Sequence, residues 1–200
     1  MDLYESLKTI HMIAGAGLFA SLGFQAFVVR GLRRVGEVSV ARRAFGRLGT
    51  GVRAGLVASA AILIPGVWMM AQRWGGAPWI VAALVGVAGM VVVAIRARPT
   101  MARLDAALRE PSDRLPEALD AVASGRPVQA LWLQSTIAIG IGILMFAKPG
   151  WLGSITILAV AIAVGLLKAF RAIKRSSGER PVGLRWLHAD EAVPDRRPAA

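Results

Sequence analysis

The sequence predicts an all-α membrane protein, a bundle of about five transmembrane helices. Of its 200 residues, 56% are hydrophobic, and the mean hydropathy is +0.56. Only 18% of the residues are charged, whereas a soluble domain carries about 25%. These charges are grouped between long uncharged stretches, which indicates that the stretches cross a membrane and that the charges lie outside it.

Five stretches approach or reach the length of about 20 apolar residues that a helix needs to cross the hydrocarbon core. They form one predicted domain, residues 1–174, and the remaining residues 175–200 form a tail without hydrophobic periodicity. We expect this tail to be partly disordered. The predicted spans cover about residues 7–29, 52–71, 79–95, 128–146 and 151–170.

The basic residues predict the orientation of the bundle. Of the 24 Lys and Arg residues, 21 lie in the connections and the tail on one side, and 3 lie on the other. The positive-inside rule then places the N-terminus outside and the C-terminus in the cytoplasm of a bacterial-type inner membrane. This topology accounts for the net charge of +12 without nucleic acid as a partner. Interfacial aromatic residues mark the predicted outer boundary: Tyr4, Trp74, Trp79 and Trp151.

The start of the chain argues against a cleaved signal peptide. The opening MDLYES contains two acidic residues and no early positive charge, and the dense positive charge follows the first apolar stretch. The first stretch is therefore expected to remain in the membrane as a helix.

The third connection contains patterns of two short surface helices. Met101, Leu104 and Leu108 would share one face of the first helix. Ser112 or Asp113 could cap the second, which would end before Gly125.

Small residues spaced four apart predict close helix packing within the membrane, where lipid supplies no hydrophobic force between helices. The principal interpretation is packing within one chain, and a homodimer face is the alternative. The stripes are Gly51, Gly55 and Ser59; Ala16 and Ala20; Ala82 and Gly86; Ala138 and Gly142; and Ala161 and Gly165. Pro65 would in addition kink the second span.

His11 is the main candidate for a functional residue. It lies several residues inside the first span, and an ionisable side chain in that setting is costly to keep. Lys8, three positions earlier, projects from the same face of the helix and is the second candidate ligand-binding residue. The imidazole could bind haem iron, bind another metal ion, relay protons or hydrogen-bond to a neighbouring helix.

A copper(I) site is a further hypothesis, because thioethers and imidazole suit that ion. Four methionines fall in the same outer half of the membrane as His11, although adjacent residues on a helix point in different directions. Methionine is also a common apolar filler of protein cores. The four are Met12, Met69, Met70 and Met145.

Several classes of chemistry lack their residues here. The chain has no cysteine, and its acidic residues lie outside the predicted spans, which disfavours a proton-coupled transporter. Phosphate-binding glycine loops and the common hydrolase motifs are missing too. His188, the only other histidine, lies in the tail beside Asp190 and is expected to be solvated.

Two segments resemble small bacterial membrane proteins. The opening LYESLKTIHMIAGAGLFASLGF resembles a first helix with an L-K-x-x-H start, and ILMFAKPG resembles a hydrophobic-K-P ending. Together they resemble domain-of-unknown-function family 2269, predicted integral membrane proteins without an assigned activity. The resemblance covers about residues 3–150, and the fifth span and the tail would be an extension.

The first segment is also similar to two other groups, the copper-resistance protein D family and the HemJ-type protoporphyrinogen oxidases. In the HemJ-type enzymes, a first-helix histidine and a lysine on a later helix are implicated in haem binding. His11 matches the histidine, but the third span contains no lysine. The leading expectation is a non-enzymatic membrane protein of unknown role, in which a small-ligand pocket could open outward near His11. The alternatives are a haem-binding redox protein or haem-biosynthetic oxidase, and a copper or small-molecule permease.

Overall fold

The computed structural model describes residues 2–32, 38–109 and 126–178. These residues form five helices, and this part of the chain contains no strand. Each helix is long and apolar enough to cross a membrane, as the sequence predicts. The helices are α1 (Leu3–Leu32), α2 (Val38–Met69, followed by a π-helical turn at Met70–Trp74), α3 (Pro78–Arg109), α4 (Arg126–Ala147) and α5 (Trp151–Gly178).

The helices extend beyond the apolar stretches that predict them. α1 has 30 residues, or roughly 45 Å at 1.5 Å per residue, against a hydrocarbon core of about 30 Å. The largest difference is in α3, which continues through Pro99 to Arg109. Met101 and its neighbours are therefore the end of a long helix, and the prediction of a separate surface helix there was wrong. The second predicted surface helix, at residues 112–125, lies outside the described residues.

α1 and α2 form an antiparallel pair that packs through the predicted small residues. A Cβ atom placed on Gly51 would lie 2.9 Å from the ring of Phe24, and one on Gly55 would lie 2.8 Å from the hydroxyl of Ser21. The Ser21 hydroxyl also donates a hydrogen bond to the Gly51 carbonyl at 2.7 Å. Glycine is needed at these two positions because the neighbouring helix occupies the space of a side chain.

The other three helices form a second group in which α4 packs against both α3 and α5. A Cβ atom on Gly140 would lie 2.8 Å from the Cβ of Ala161, and one on Gly86 would lie 3.1 Å from Ile141. Gly142 faces the ring of Phe19 on α1, where the two groups of helices meet. Gly51, Gly55, Gly86 and Gly142 of the predicted stripes thus face neighbouring helices of the chain, whereas Ala16 and Ala20 are exposed.

Polar side chains in the spans bond in two ways. Gln134 donates to the Met90 carbonyl across α3 and α4 at 3.3 Å. Ser59 and Thr136 instead donate to carbonyls of their own helices.

Large apolar side chains cover much of the outer surface of the bundle. Phe146 is 94% exposed and Leu152 is 82% exposed. Within one apolar 18-residue segment of each candidate span, between 11% and 28% of the residues are buried. Such a surface would be unfavourable in water, and a lipid bilayer is the environment that it fits.

Candidate functional site

His11 lies at the interface of α1 and α2, opposite the proline of α2. Its Nδ1 atom is 2.8 Å from the carbonyl oxygen of Ile62. Pro65 lies inside α2, and because proline has no N–H, the Ala61 carbonyl loses its usual helical donor. The His11 bond is therefore made in the turn of α2 that the proline loosens. Gly66 provides the space for the ring, since a Cβ there would lie 3.0 Å from His11 Cε1.

The Ile62 bond fixes the tautomer of His11. A carbonyl oxygen only accepts hydrogen bonds, so Nδ1 carries the hydrogen and donates. In the neutral ring, Nε2 then holds the free lone pair. Within the described residues, Nε2 has no hydrogen-bond partner. Every fully buried side-chain nitrogen or oxygen in this part of the chain does have one. Nε2 is consequently not fully buried, and its lone pair can accept a hydrogen bond or coordinate a metal ion.

Lys8, the second candidate residue, forms a salt bridge with Glu5. Its ammonium group lies 3.0 Å from a carboxylate oxygen of Glu5, and both side chains are about half exposed. The structure thus brings Lys8 to an acidic neighbour on its own helix, one turn from His11.

The structure places two of the four methionines against an apolar cluster and one on the surface. Met70 and Met145 pack against the same buried apolar cluster, which contains Trp79 and Leu144. Met12 is 65% exposed. Among the described residues, no group of three or more His, Asp or Glu side chains could hold a metal ion. A metal ion at His11 would therefore need other kinds of ligand in addition to the imidazole, such as methionine sulfur, backbone carbonyls or water.

One end of the bundle carries a cluster that the sequence predicts only as an interfacial belt. We call Tyr4, Arg73, Trp74, Trp79 and Lys148 the Tyr4–Trp74 cluster. The Trp74 indole N–H donates to the Tyr4 hydroxyl at 3.2 Å, and the Trp74 and Trp79 rings meet edge to face at 5.4 Å. The Arg73 guanidinium lies 4.3 Å from the centre of the Tyr4 ring. The cluster joins α1, the α2–α3 connection and the end of α4.

Lys148 enters this cluster through an unusual backbone conformation. Its φ angle is +47°, in the left-handed region that non-glycine residues seldom adopt. Its N–H donates to the Leu144 carbonyl at 2.9 Å, which caps the end of α4. Pro149 follows and cannot continue the helix. The Lys148 ammonium lies 4.5 Å from the centre of the Trp74 ring, a cation–π contact.

This cluster connects the opening segment of α1 with the end of α4. Tyr4 belongs to the opening LYESLK, and Lys148 belongs to FAKPG. Both contact residues of the π-helical turn that ends α2, since Tyr4 bonds to Trp74 and Lys148 lies above it. Single-turn π segments occur frequently at functional sites. The sequence alone does not indicate that the two segments meet.

A haem group fits the described residues only in part. His11 supplies a nitrogen ligand whose other ring nitrogen is held by a carbonyl, which is the usual arrangement of a metal-binding histidine. The ring is, however, packed closely against Gly66. A cavity between α4 and α5 is lined by neither His11 nor Lys8. His188 lies outside the described residues.

Comparison of the chain with protein-family models, with curated proteins and with solved structures found no match.

Proposed function

We propose that this chain is a multi-pass protein of a bacterial-type inner membrane, with its N-terminus outside and its C-terminus in the cytoplasm. Five apolar helices support the membrane location. The distribution of 21 basic residues against 3 supports the orientation. The Tyr4–Trp74 cluster gathers tyrosine and tryptophan at the end proposed to be outside, as is typical of a membrane interface.

The cysteine-free chain allows a direct test of this orientation. Gly76→Cys places a thiol in the α2–α3 connection. Ala102→Cys places one on α3, farther from the start of that helix than the thickness of a hydrocarbon core, about 30 Å. Both positions are exposed. In intact cells, a membrane-impermeant maleimide should label Gly76→Cys, and it should label Ala102→Cys only after the membrane is permeabilised. The reverse pattern would contradict the proposed orientation.

We further propose that the protein binds a small ligand through Nε2 of His11, without catalysis. The observation that carries this proposal is the hydrogen bond from Nδ1 to Ile62, because it holds the ring and leaves Nε2 free. His11 lies only four residues inside the predicted span boundary, roughly 6 Å along the helix. A ligand could therefore reach it from the end of the bundle that carries the Tyr4–Trp74 cluster.

The same atom supports the second candidate function, a haem-binding redox protein. A histidine whose Nδ1–H is held by a carbonyl has its Nε2 lone pair directed for coordination. A bound haem would supply the redox chemistry, and His11 would hold the iron from one side. The resemblance to the HemJ-type enzymes supports this candidate at His11 and not on the third span, which has no lysine.

An absorption spectrum of the protein purified in mild detergent distinguishes the two candidates. The variants to compare are His11→Ala and, as the matched control, His188→Ala. A Soret band that persists in the control and disappears in His11→Ala would support the haem candidate. A colourless wild type would contradict it.

A second experiment tests the small-ligand proposal itself. In the His188→Ala variant, His11 is the only histidine, so the formation of carbethoxyhistidine by diethylpyrocarbonate reports on this ring alone. We expect His11 to be modified in the folded protein, because Nε2 is not fully buried. Failure of the reagent to modify His11 before the protein unfolds would refute an accessible Nε2, and with it the ligand site.

A further inference from the structure

The surface between α4 and α5 contains an open groove of about 370 Å³. Its floor consists of Thr136, Gly140 and Ala161, which are buried. One rim is a stripe on α5 in which Thr156, Val160 and Val164 are spaced four residues apart and are exposed. The volume lies within the range of about 300–1,000 Å³ that is usual for small-molecule sites.

The interior of the groove is effectively apolar. The Thr136 hydroxyl lies 3.1 Å from the carbonyls of Trp132 and Leu133. The Thr156 hydroxyl donates to the Leu152 carbonyl at 2.8 Å. Because both hydroxyls donate to their own helices, the groove offers no free donor to a polar occupant along its length. A hydrocarbon chain is the occupant that this lining suits.

One end of the groove carries a positive charge. Lys168 belongs to the lining, and its ammonium group lies 4.7 Å from the centre of the Trp132 ring. This cation–π contact holds the charge at the end of the groove. Arg171, one turn further along α5, is exposed as well. Among the described residues, no salt bridge involves Lys168.

The length of the groove matches one leaflet of a bilayer. Thr156 and Lys168 are twelve residues apart on α5, roughly 18 Å along the helix axis. Half of a hydrocarbon core is about 15 Å. An acyl chain that starts at a headgroup beside Lys168 would therefore run along the groove towards the middle of the membrane.

We propose that this groove binds one anionic phospholipid, with an acyl chain between α4 and α5 and its phosphate beside Lys168. The apolar lining and the cation at its end together fit a lipid with an anionic headgroup, and a second copy of the chain is the alternative outcome of the test. The lipid proposal does not depend on the ligand at His11 or on which leaflet faces the cytoplasm.

Native mass spectrometry of the detergent-purified protein tests the proposal. The probes are phosphatidylglycerol and phosphatidylcholine with identical acyl chains. We expect the wild type to bind the anionic lipid about fivefold more tightly, since one basic residue near an anionic surface contributes about that factor. Lys168→Ala should abolish this preference and Lys168→Arg should keep it. Arg96→Ala, an exposed cation on α3, is the matched control and should bind as the wild type does.

A second pair of variants tests the groove itself. Val160→Trp places a large side chain in the groove and should reduce the binding of both lipids. Val92→Trp makes the same change at a similarly exposed position on α3 (50% against 56% exposed) and should not. Equal binding of the two lipids by the wild type would overturn the proposal, as would unchanged preference in Lys168→Ala. A dimer that Val160→Trp dissociates while lipid binding persists would assign the groove to a second copy.

Discussion

Replacement of Gly66 by alanine tests the packing around His11. A Cβ atom at this position would lie 3.0 Å from His11 Cε1 and 3.2 Å from Nδ1, and only His11 atoms lie within 4 Å of it. The imidazole would have to retreat by a few tenths of an ångström, which lengthens its bond to the Ile62 carbonyl. Hydrogen bonds between membrane helices contribute about 0.6 kcal/mol on average and up to about 1.7 kcal/mol. Alanine, in turn, stabilises a helix interior by about 0.5–1 kcal/mol relative to glycine.

These opposing effects predict that Gly66→Ala is less favourable in the wild type than in a His11→Ala background. In the wild type, Gly66→Ala should be neutral or destabilising by about 1 kcal/mol, because loss of the His11 bond offsets the helix gain. In a His11→Ala background the steric conflict is gone, and the same change should stabilise by about 0.5–1 kcal/mol. The two effects should therefore differ by about 0.6–1.7 kcal/mol, the range of the bond itself.

The assay is unfolding by sodium dodecyl sulfate in mixed micelles, followed by far-ultraviolet circular dichroism. The four proteins form a double-mutant cycle, which isolates the coupling between the two positions. Gly89→Ala is the control, because nothing lies within 4 Å of a Cβ there, and its effect should be the same in both backgrounds. If Gly66→Ala has the same effect with and without His11, the proposed contact between them is wrong.

Three further predictions concern packing and backbone conformation. Gly140→Ala should destabilise the protein by about 1–3 kcal/mol by overpacking, since its Cβ would lie 2.8 Å from that of Ala161, and Ala161→Gly in the same chain should restore stability in the unfolding assay. Gly75 has φ of +52° and ψ of −139°, backbone angles that residues with a side chain seldom adopt, so Gly75→Ala should destabilise the protein by about 1–3 kcal/mol. Gly76→Ala should cost less, and equal costs would contradict the role of the backbone angles at Gly75. Arg73→Ala should increase the rate at which a water-soluble, tyrosine-selective reagent modifies Tyr4, the single tyrosine of the chain, and an unchanged rate would refute the cation–π contact.

The number and approximate placement of the helices follow from the sequence. A span must satisfy its own backbone hydrogen bonds in lipid, so a local run of apolar residues is enough to predict it. Local signals were less reliable at the helix ends. The charged continuation of α3 through Met101 to Arg109 forms one helix with the span. The helical hydrogen bonds of the backbone can continue outside the membrane, where water solvates the charged side chains.

His11 could be chosen from the sequence because an imidazole in lipid needs a reason to be there. Its partner could not, since the Ile62 carbonyl is 51 residues away and every helical residue has a carbonyl. Pro65 was the single sequence feature indicating that this turn of α2 lacks a regular helical hydrogen bond. The copper hypothesis rested on four methionines in the same half of the membrane, but such a location does not show what each side chain contacts. Met70 and Met145 pack against the apolar cluster around Trp79, and Met12 is exposed.

By itself, the sequence determined that the chain has five apolar helices, a strongly basic end and one histidine within a span. The tertiary structure decided which residues meet: Tyr4 with Trp74, 70 residues apart, Lys148 with the same indole, and α4 with α5 around the groove that ends at Lys168. These contacts depend on how each helix is rotated and how closely it approaches its neighbours. Small residues such as Gly51 and Gly140 set that approach, and their spacing predicts a close contact without naming the helix on the other side.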